Sequence, residues 1–378
     1  MKRIIFSVVM CSAVIGLLTG RVEAQQPSGS EAANERAPKD NLELDEIIVT
    51  GVANVGMRKM NATFAITTAD RAQIAEFAPI HTGDLLNISP GVLAENTGGE
   101  TGTNTFARGF AQNSGSAWVT LQLNGLPIYP SPVAGFIENS ALFRVDESIE
   151  RLEVLRGGSA VLLSNAQSGV TYNFLQKKGS EQSEGIAKGT LTDYGLRRVD
   201  FNQSGPLSEH TFYSVGGFYR SSPGIRDPQY TGDYGGGAEF QITRQIEDGE
   251  VNFWARYTND KNNWYGPIPV RIGVDNISVS EFPGFDGGSG THHGNDNRFG
   301  VIERGDGQTL SLDSKDGRDV DLIIAGMSLD RGFDNGWGIS LKAGVTDGKG
   351  GLTGPLASTN PQTLQSYMDA VVRSGPTR

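Results

Sequence analysis

The chain has 378 residues, enough for two or three domains at about 150 residues each. Hydrophobic residues make up 37% and charged residues 20%, which excludes both a disordered polyelectrolyte and an α-helical membrane protein. With 32 Lys+Arg against 43 Asp+Glu, the net charge of −11 has the wrong sign for a general nucleic-acid binder, and a lone cysteine excludes a disulfide scaffold.

The 51 glycines show no collagen period. Spread among short alternating segments, they imply many turns and a β-rich chain.

The N-terminus reads as a cleaved export signal over residues 1–24. Lys2 and Arg3 form a positive start, residues 4–18 are apolar, and Val22-Glu23-Ala24 is a small-residue cleavage site. The apolar run is shorter than the roughly 20 residues a bilayer-spanning helix needs. Cys11 lies inside it, so the exported chain carries no cysteine and depends on burial and backbone pairing for stability.

Residues 25–54 form a polar leader. Within it, residues 44–51 run Leu-Asp-Glu-Ile-Ile-Val-Thr-Gly, a β-branched segment with high strand propensity and nothing local to pair with. Two readings stand side by side: a mobile strand offered to a partner by β-augmentation, or the first strand of the next domain.

Residues 55–180 read as a compact mixed domain. Residues 63–67 alternate as a strand. Asp70 caps a helix over residues 71–77, which Pro79 stops, and a second short helix starts at His81. Residues 118–123 form a strand ending in the turn Asn124-Gly125. In Ile149-Glu150-Arg151-Leu152-Glu153-Val154-Leu155-Arg156-Gly157, the residues Ile149, Leu152 and Val154 face a core. Glu150, Arg151, Glu153 and Arg156 face polar surroundings.

Three of these segments carry a family resemblance. Arg108-Gly109-Phe110, Leu123-Asn124-Gly125-Leu126-Pro127 and the nine residues from Ile149 resemble, in order, the plug signatures of TonB-dependent outer-membrane transporters. Asp45, Glu46, Ile47, Ile48, Val49 and Thr50 look like that family's TonB box. Gly158 stands where the family usually has proline, and Asn124 where it usually has aspartate.

From residue 181 onward the pattern is that of barrel strands, with apolar residues alternating with polar ones. Examples are Val199 and Phe201, then Tyr213, Val215 and Tyr219, then Phe240 and Ile242, then Val251, Phe253 and Tyr257, then Val320, Leu322 and Ile324, then Ile339, Leu341 and Val345. Dyad alternation over about ten residues marks a transmembrane β-strand. A soluble sandwich also alternates, but short and long connectors take turns here, as in outer-membrane barrels. Tyr213, Tyr219, Tyr257 and Trp337 suit an interfacial girdle.

The expected fold class is thus an α+β plug followed by antiparallel transmembrane β-strands. Seven strands are expected, against about 22 in a plugged transporter barrel. The chain therefore reads as an N-terminal fragment or a truncated frame.

No enzyme constellation stands out, and no cofactor is expected. His292-His293 sits in a polar loop where extended geometry points the rings apart, and Gly157-Gly158-Ser159 lacks a phosphate-loop signature. The resemblance implies that Arg108, Glu150, Arg151, Glu153 and Arg156 make polar contacts between plug and inner wall. It places ligand contact near residues 95–103, 112–116 and 129–134, with Gln112 and Tyr129 as individual candidates. Trp264, Tyr265 and Phe285 are candidates to stack on a ligand, with loop packing as the plainer role.

The resemblance further implies active import of a scarce ligand across a bacterial outer membrane, a ferric siderophore being the family's commonest case. Energy comes through TonB with ExbB and ExbD. The short leader leaves no room for an N-terminal signalling domain. Rival readings are import of an aromatic or carbohydrate nutrient, a passive porin or adhesin, and a plug-only periplasmic binding module.

Overall fold

The structure, a computed structural model, describes residues 47–50, 56–96, 98–110, 118–128, 139–158, 169–335, 337–354 and 361–374. The expected export signal, Asp45, Glu46, Gln112 and Tyr129 lie outside the described residues.

The N-terminal segment forms β1 (Ile47–Ile48), paired antiparallel with β2 (Met57–Arg58). This corrects the expectation that it has no local partner: the chain returns within ten residues to supply one. Then come β3 (Ile66–Asp70), α1 (Arg71–Phe77), α2 (Thr82–Leu86), β4 (Val92–Asn96), β5 (Thr103–Ala107), β6 (Val119–Leu123), β7 (Leu126–Ile128), α3 (Asn139–Leu142), β8 (Ile149–Leu155) and β9 (Val170–Gln176).

The helix over residues 71–77 starts where its cap dictates. The Asp70 carboxylate accepts from the Gln73 amide at 2.8 Å, and the Gln73 side chain accepts from the Asp70 amide at 2.9 Å. Ala78, in the left-handed region at φ 47°, ends it before Pro79 is reached. The strand ahead of it runs three residues later than the alternation suggested, because β3 continues its pairing with β8 up to Asp70 opposite Arg151.

Five strands form the plug sheet in the order β3-β8-β9-β6-β7, with β6 and β9 parallel and the other pairs antiparallel. Asn124 and Gly125 both take positive φ, 51° and 84°, as a two-residue hairpin turn requires. A bulge between Ile149 and Arg151 resets the alternation of β8. It puts Ile149, Leu152 and Val154 in one core with Leu121, Leu123, Tyr172 and Phe174.

The second sheet has seven strands in simple up-and-down order: β10 (Glu184–Leu191), β11 (Arg197–Ser208), β12 (Thr211–Ser222), β13 (Asp233–Ile246), β14 (Gly249–Asn262), β19 (Arg318–Gly332) and β20 (Gly338–Leu352). The link between β14 and β19 carries two hairpins, β15 (Val270–Ile272) with β16 (Val279–Glu281) and β17 (Phe299–Glu303) with β18 (Thr309–Asp313). One end of the sheet has the short connections 209–210, 247–248 and 333–337, and the other has the equally short 192–196 together with the long connections 223–232 and 263–317. Among the described residues the sheet does not close on itself, and β10 and β20 are its outer strands. After them comes α4 (Leu364–Ser374).

This wall is inside out relative to a soluble sheet. Arg198, Asp200, Asn202 and Ser204 are buried, whereas Val199 and Phe201 on the same strand are 58% and 45% exposed. The pattern repeats on β14, where Asn252, Arg256, Thr258 and Asp260 are buried and Phe253 and Tyr257 are exposed. Polar residues face the plug and apolar residues face outward, the arrangement of a membrane barrel. Part of the inner face is apolar as well. Trp254, Val320, Leu322 and Ile324 join the plug's own core, so plug and wall share one packed interior.

Candidate functional site

Two polar centres stand out, one around the docked N-terminal strand and one where the plug meets the wall.

The first is built on β8 and β9, adjacent strands of the plug sheet. Glu153 is fully buried. Its carboxylate accepts from the Val49 amide at 3.1 Å, the Thr50 amide at 2.8 Å and the Thr50 hydroxyl at 2.5 Å. Arg151 Nη2 supports it from the other side at 2.8 Å. On β9, Asn173 donates to the Thr50 hydroxyl at 2.7 Å and accepts from the Gly125 amide at 2.8 Å. The end of the docked segment is thereby joined to the Asn124-Gly125 turn. The hydrogen-bond partners of Glu153, expected to make a polar contact to the inner wall, come from the chain's own N-terminal segment.

The second centre lies under the long connections. Arg144, which follows α3 in the plug, reaches Asp260 on β14 at 2.7 Å and Glu100, between β4 and β5, at 3.4 Å. Arg220 on β12 reaches Glu100 at 2.6 Å and Asp260 at 2.9 Å. Both arginines also donate to Asn262. Gly235 sits between Arg220 and Asp260 on β13, paired with each. A Cβ there would lie 2.9 Å from the Asp260 carboxylate, so glycine clears the crossing. Burial opposes ionisation of Glu100, but Arg220 and Arg144 overcome it and hold its carboxyl below the usual range.

Lower on the wall, Arg256 bonds the Asp146 carboxylate at 2.6 Å and the Arg144 carbonyl at 2.7 Å, with its guanidinium 4.8 Å from the Phe143 ring centre. Burial opposes the charge on Asp146, yet Arg256 and the Ser148 donors keep its carboxyl low. Arg198 donates to the carbonyls of Ile80 and Val145 at 3.2 and 2.7 Å, and Lys188 pairs with Glu147 at 3.0 Å. Gln176 at the end of β9 donates to Glu239 of β13.

The candidates from sequence fall into place unevenly. Ile47 and Ile48 pair with β2, and Val49 and Thr50 bond Glu153. Arg151 and Glu153 pair with each other, Glu150 is exposed, Arg156 is half-buried, and Arg108 is an exposed residue with φ 55°. Among the described residues, the plug-side residues that ion-pair with the wall include Glu100, Arg144, Asp146 and Glu147, with Lys177 and Lys178 where the plug runs into the wall, and sequence reading did not single these out. A trace was present: Arg220, Arg256 and Asp260 occupy inward positions of alternating strands, where a buried charge needs a partner.

Of the aromatic candidates, Trp264 and Tyr265 close on the plug tip. A Cβ at Gly98 would lie 2.4 Å from Trp264, and one at Gly99, already at φ 100°, would lie 2.9 Å from Tyr265. Phe285 packs against His292, ring centres 5.2 Å apart. His293 is buried, with neither ring nitrogen hydrogen-bonded; burial, with His292 adding to it, lowers its pKa to about 4. Among the described residues, no three of His, Cys, Asp and Glu converge as metal ligands.

Comparison with known proteins agrees with this architecture. Residues 58–171 match the family model of the TonB-dependent receptor plug domain. The ferripyoverdine receptor of Pseudomonas aeruginosa is 28% identical over 146 residues, which are 38% of this chain and 17% of that receptor.

Among solved structures, the ferripyoverdine receptor of the P. aeruginosa outer membrane bound to ferripyoverdine superposes with a TM-score of 0.54 at 18% identity, over 79% of this chain and 35% of that one. The alcaligin outer-membrane receptor of Bordetella pertussis gives 0.53 at 13% identity, over 82% and 44%. The ferric yersiniabactin uptake receptor of Yersinia pestis gives 0.53 at 16% identity, over 75% and 40%. At these identities the structural likeness concerns the fold. The chain spans less than half the length of each of these relatives.

Proposed function

We propose that this chain, whose residues 58–171 are a TonB-dependent receptor plug domain, serves active import across a bacterial outer membrane. The observation that carries the reading is the docked strand. A short extended segment lies docked against the plug, and the plug is seated by buried ion pairs inside a polar-in, apolar-out wall. The outward apolar face meets lipid, and the end with connections 209–210, 247–248 and 333–337 faces the periplasm.

Substrate enters from the side of the long connections and meets the plug tip around Gly98–Glu100. The tip is tied through Glu100 and Arg144 to Phe143, whose ring packs 4.7 Å from Phe174. Phe174 is the neighbour of Asn173, which bonds Thr50. TonB, energised by ExbB and ExbD, takes up the segment Asp45, Glu46, Ile47, Ile48, Val49 and Thr50 as an added strand. The substrate is an iron chelate; names such as ferripyoverdine receptor and ferric yersiniabactin uptake receptor among the relatives support that class.

Val49→Pro tests the reading. Proline removes the amide that strand addition needs. In the assembled receptor, energy-dependent uptake of ferric chelate is lost while binding of the chelate persists. Equal uptake by both forms would refute the role of the segment. Uptake that continues after collapse of the proton-motive force would favour a passive pore.

A further inference from the structure

We infer that Glu153 is the catch that retains the N-terminal strand, and that a strand-adding partner gains the segment only when this carboxylate lets go. The inference rests on the import reading above and names the residue that controls access to the segment.

Among the described residues, the ladder between β1 and β2 contains two residue pairs, Ile47 with Arg58 and Ile48 with Met57. A two-stranded ribbon of that length is marginal by itself. Retention therefore falls to the next two residues. Val49 and Thr50 give their amides, and Thr50 its hydroxyl, to one fully buried carboxylate. With Arg151 the carboxylate has four donor groups, which fills the capacity of its two oxygens. These bonds are charge-assisted and out of water, so they outweigh neutral ladder bonds.

Strand addition reads backbone donors and acceptors in sequence. While Glu153 holds the Val49 and Thr50 amides, those two donors are unavailable. The docked segment and the partner-bound segment are then mutually exclusive states, and the apparent affinity for the partner is reduced by the undocked fraction. Asn173 strengthens the catch from β9, because one amide side chain bonds both Thr50 and the Gly125 turn. A carboxylate serving only to satisfy the core would affect stability without affecting the partner.

The test uses the complete receptor in outer-membrane vesicles, with a nitroxide label on Val49→Cys, which keeps its amide. The unmodified catch gives an immobilised spectrum. Glu153→Gln loses the charge, gives a mobile spectrum and binds the purified periplasmic domain of TonB about tenfold more tightly. An immobile spectrum and unchanged affinity in Glu153→Gln overturn the inference, provided chelate binding shows the receptor assembled. If Glu153→Gln does not assemble, Thr50→Ala is measured instead. It removes the hydroxyl shared by Glu153 and Asn173 and raises the mobile fraction several-fold; no rise overturns the inference. Failure of the wild-type receptor to bind the TonB domain would instead strike at the import reading, because label mobility reports the catch without any partner.

Discussion

Arg144 of the plug and Asp260 of the wall stand 2.7 Å apart, 116 residues apart in sequence, with both side chains out of water. Neither charge has a solvent alternative. Removing one partner from a buried pair leaves the other uncompensated, at about 3–5 kcal/mol. Asp260→Ala is expected to lower the unfolding free energy of the assembled protein by that amount, read as a lower denaturant midpoint at unchanged slope. Because Arg220 shares Asp260 and Glu100 with Arg144, the double variant Arg144→Met/Asp260→Leu should lose less than the sum of the two single changes. Additive losses would show that the pair is not a coupled unit.

Acid should loosen the same contacts. The carboxyls of Glu100 and Asp146 are held below the ordinary carboxylate range by Arg220, Arg144 and Arg256 against the opposing effect of burial. A carboxyl whose pKa is depressed on folding contributes stability above its unfolded value, and that contribution is lost as pH falls through the folded value. Thermal midpoints should be flat from pH 7 to about 5 as far as these groups are concerned and fall below pH 4. A decline already complete at pH 5 would contradict the depressed values.

The outward face can be checked residue by residue. Phe240 is exposed at mid-height on β13, opposite Ala255. Phe240→Arg places a charge near the bilayer centre and should cost about 2–4 kcal/mol in folding into lipid vesicles. Arginine at Tyr219, near the long-connection end, should cost about 1 kcal/mol or less. Equal costs would mean that this face does not meet hydrocarbon.

The plug tip should tolerate no side chain at Gly98. Gly98→Val drives a branched side chain into the Trp264 ring, 2.4 Å from where its Cβ would stand. The expected cost is about 1–3 kcal/mol, as for an overpacked core. Limited proteolysis should report it, with faster cleavage in residues 263–317. Unchanged cleavage would mean that Trp264 does not rest on the tip.

Much of this fold is legible in the sequence where local chemistry decides it. Asp70 with Gln73 marks a helix start, Asn124-Gly125 marks a hairpin, and dyad alternation marks seven wall strands. The β4–β5 hairpin and β9 are not legible. Val170, Tyr172 and Phe174 alternate with Thr171 and Asn173, but the alternation lasts only five residues, and both faces of the strand are covered, so it does not mark a core side and a solvent side. The ion pairs of Arg144, Arg220 and Arg256 join residues more than 35 positions apart, and only the folded register brings them together. Glu153 misleads for a related reason: its partner, the N-terminal strand, arrives from 103 residues away.

The position of β3 gives the plug a mechanical order of failure. It is one of the two outer strands of the five, tied to β8 alone through five residue pairs, and it is the next strand after β2 in the chain. Tension applied at Thr50 is met first by its bonds to Glu153 and Asn173; once these are released it passes to the two-pair ribbon, next to the Lys59–Thr68 contact at 2.7 Å, and then to β3. With the Glu153 bonds gone, the load returns to β8 only after β3 has gone, and β9 still supports β8. A pulled plug therefore peels from one margin, and a gap can open beside the wall while β6, β7 and β9 keep their places.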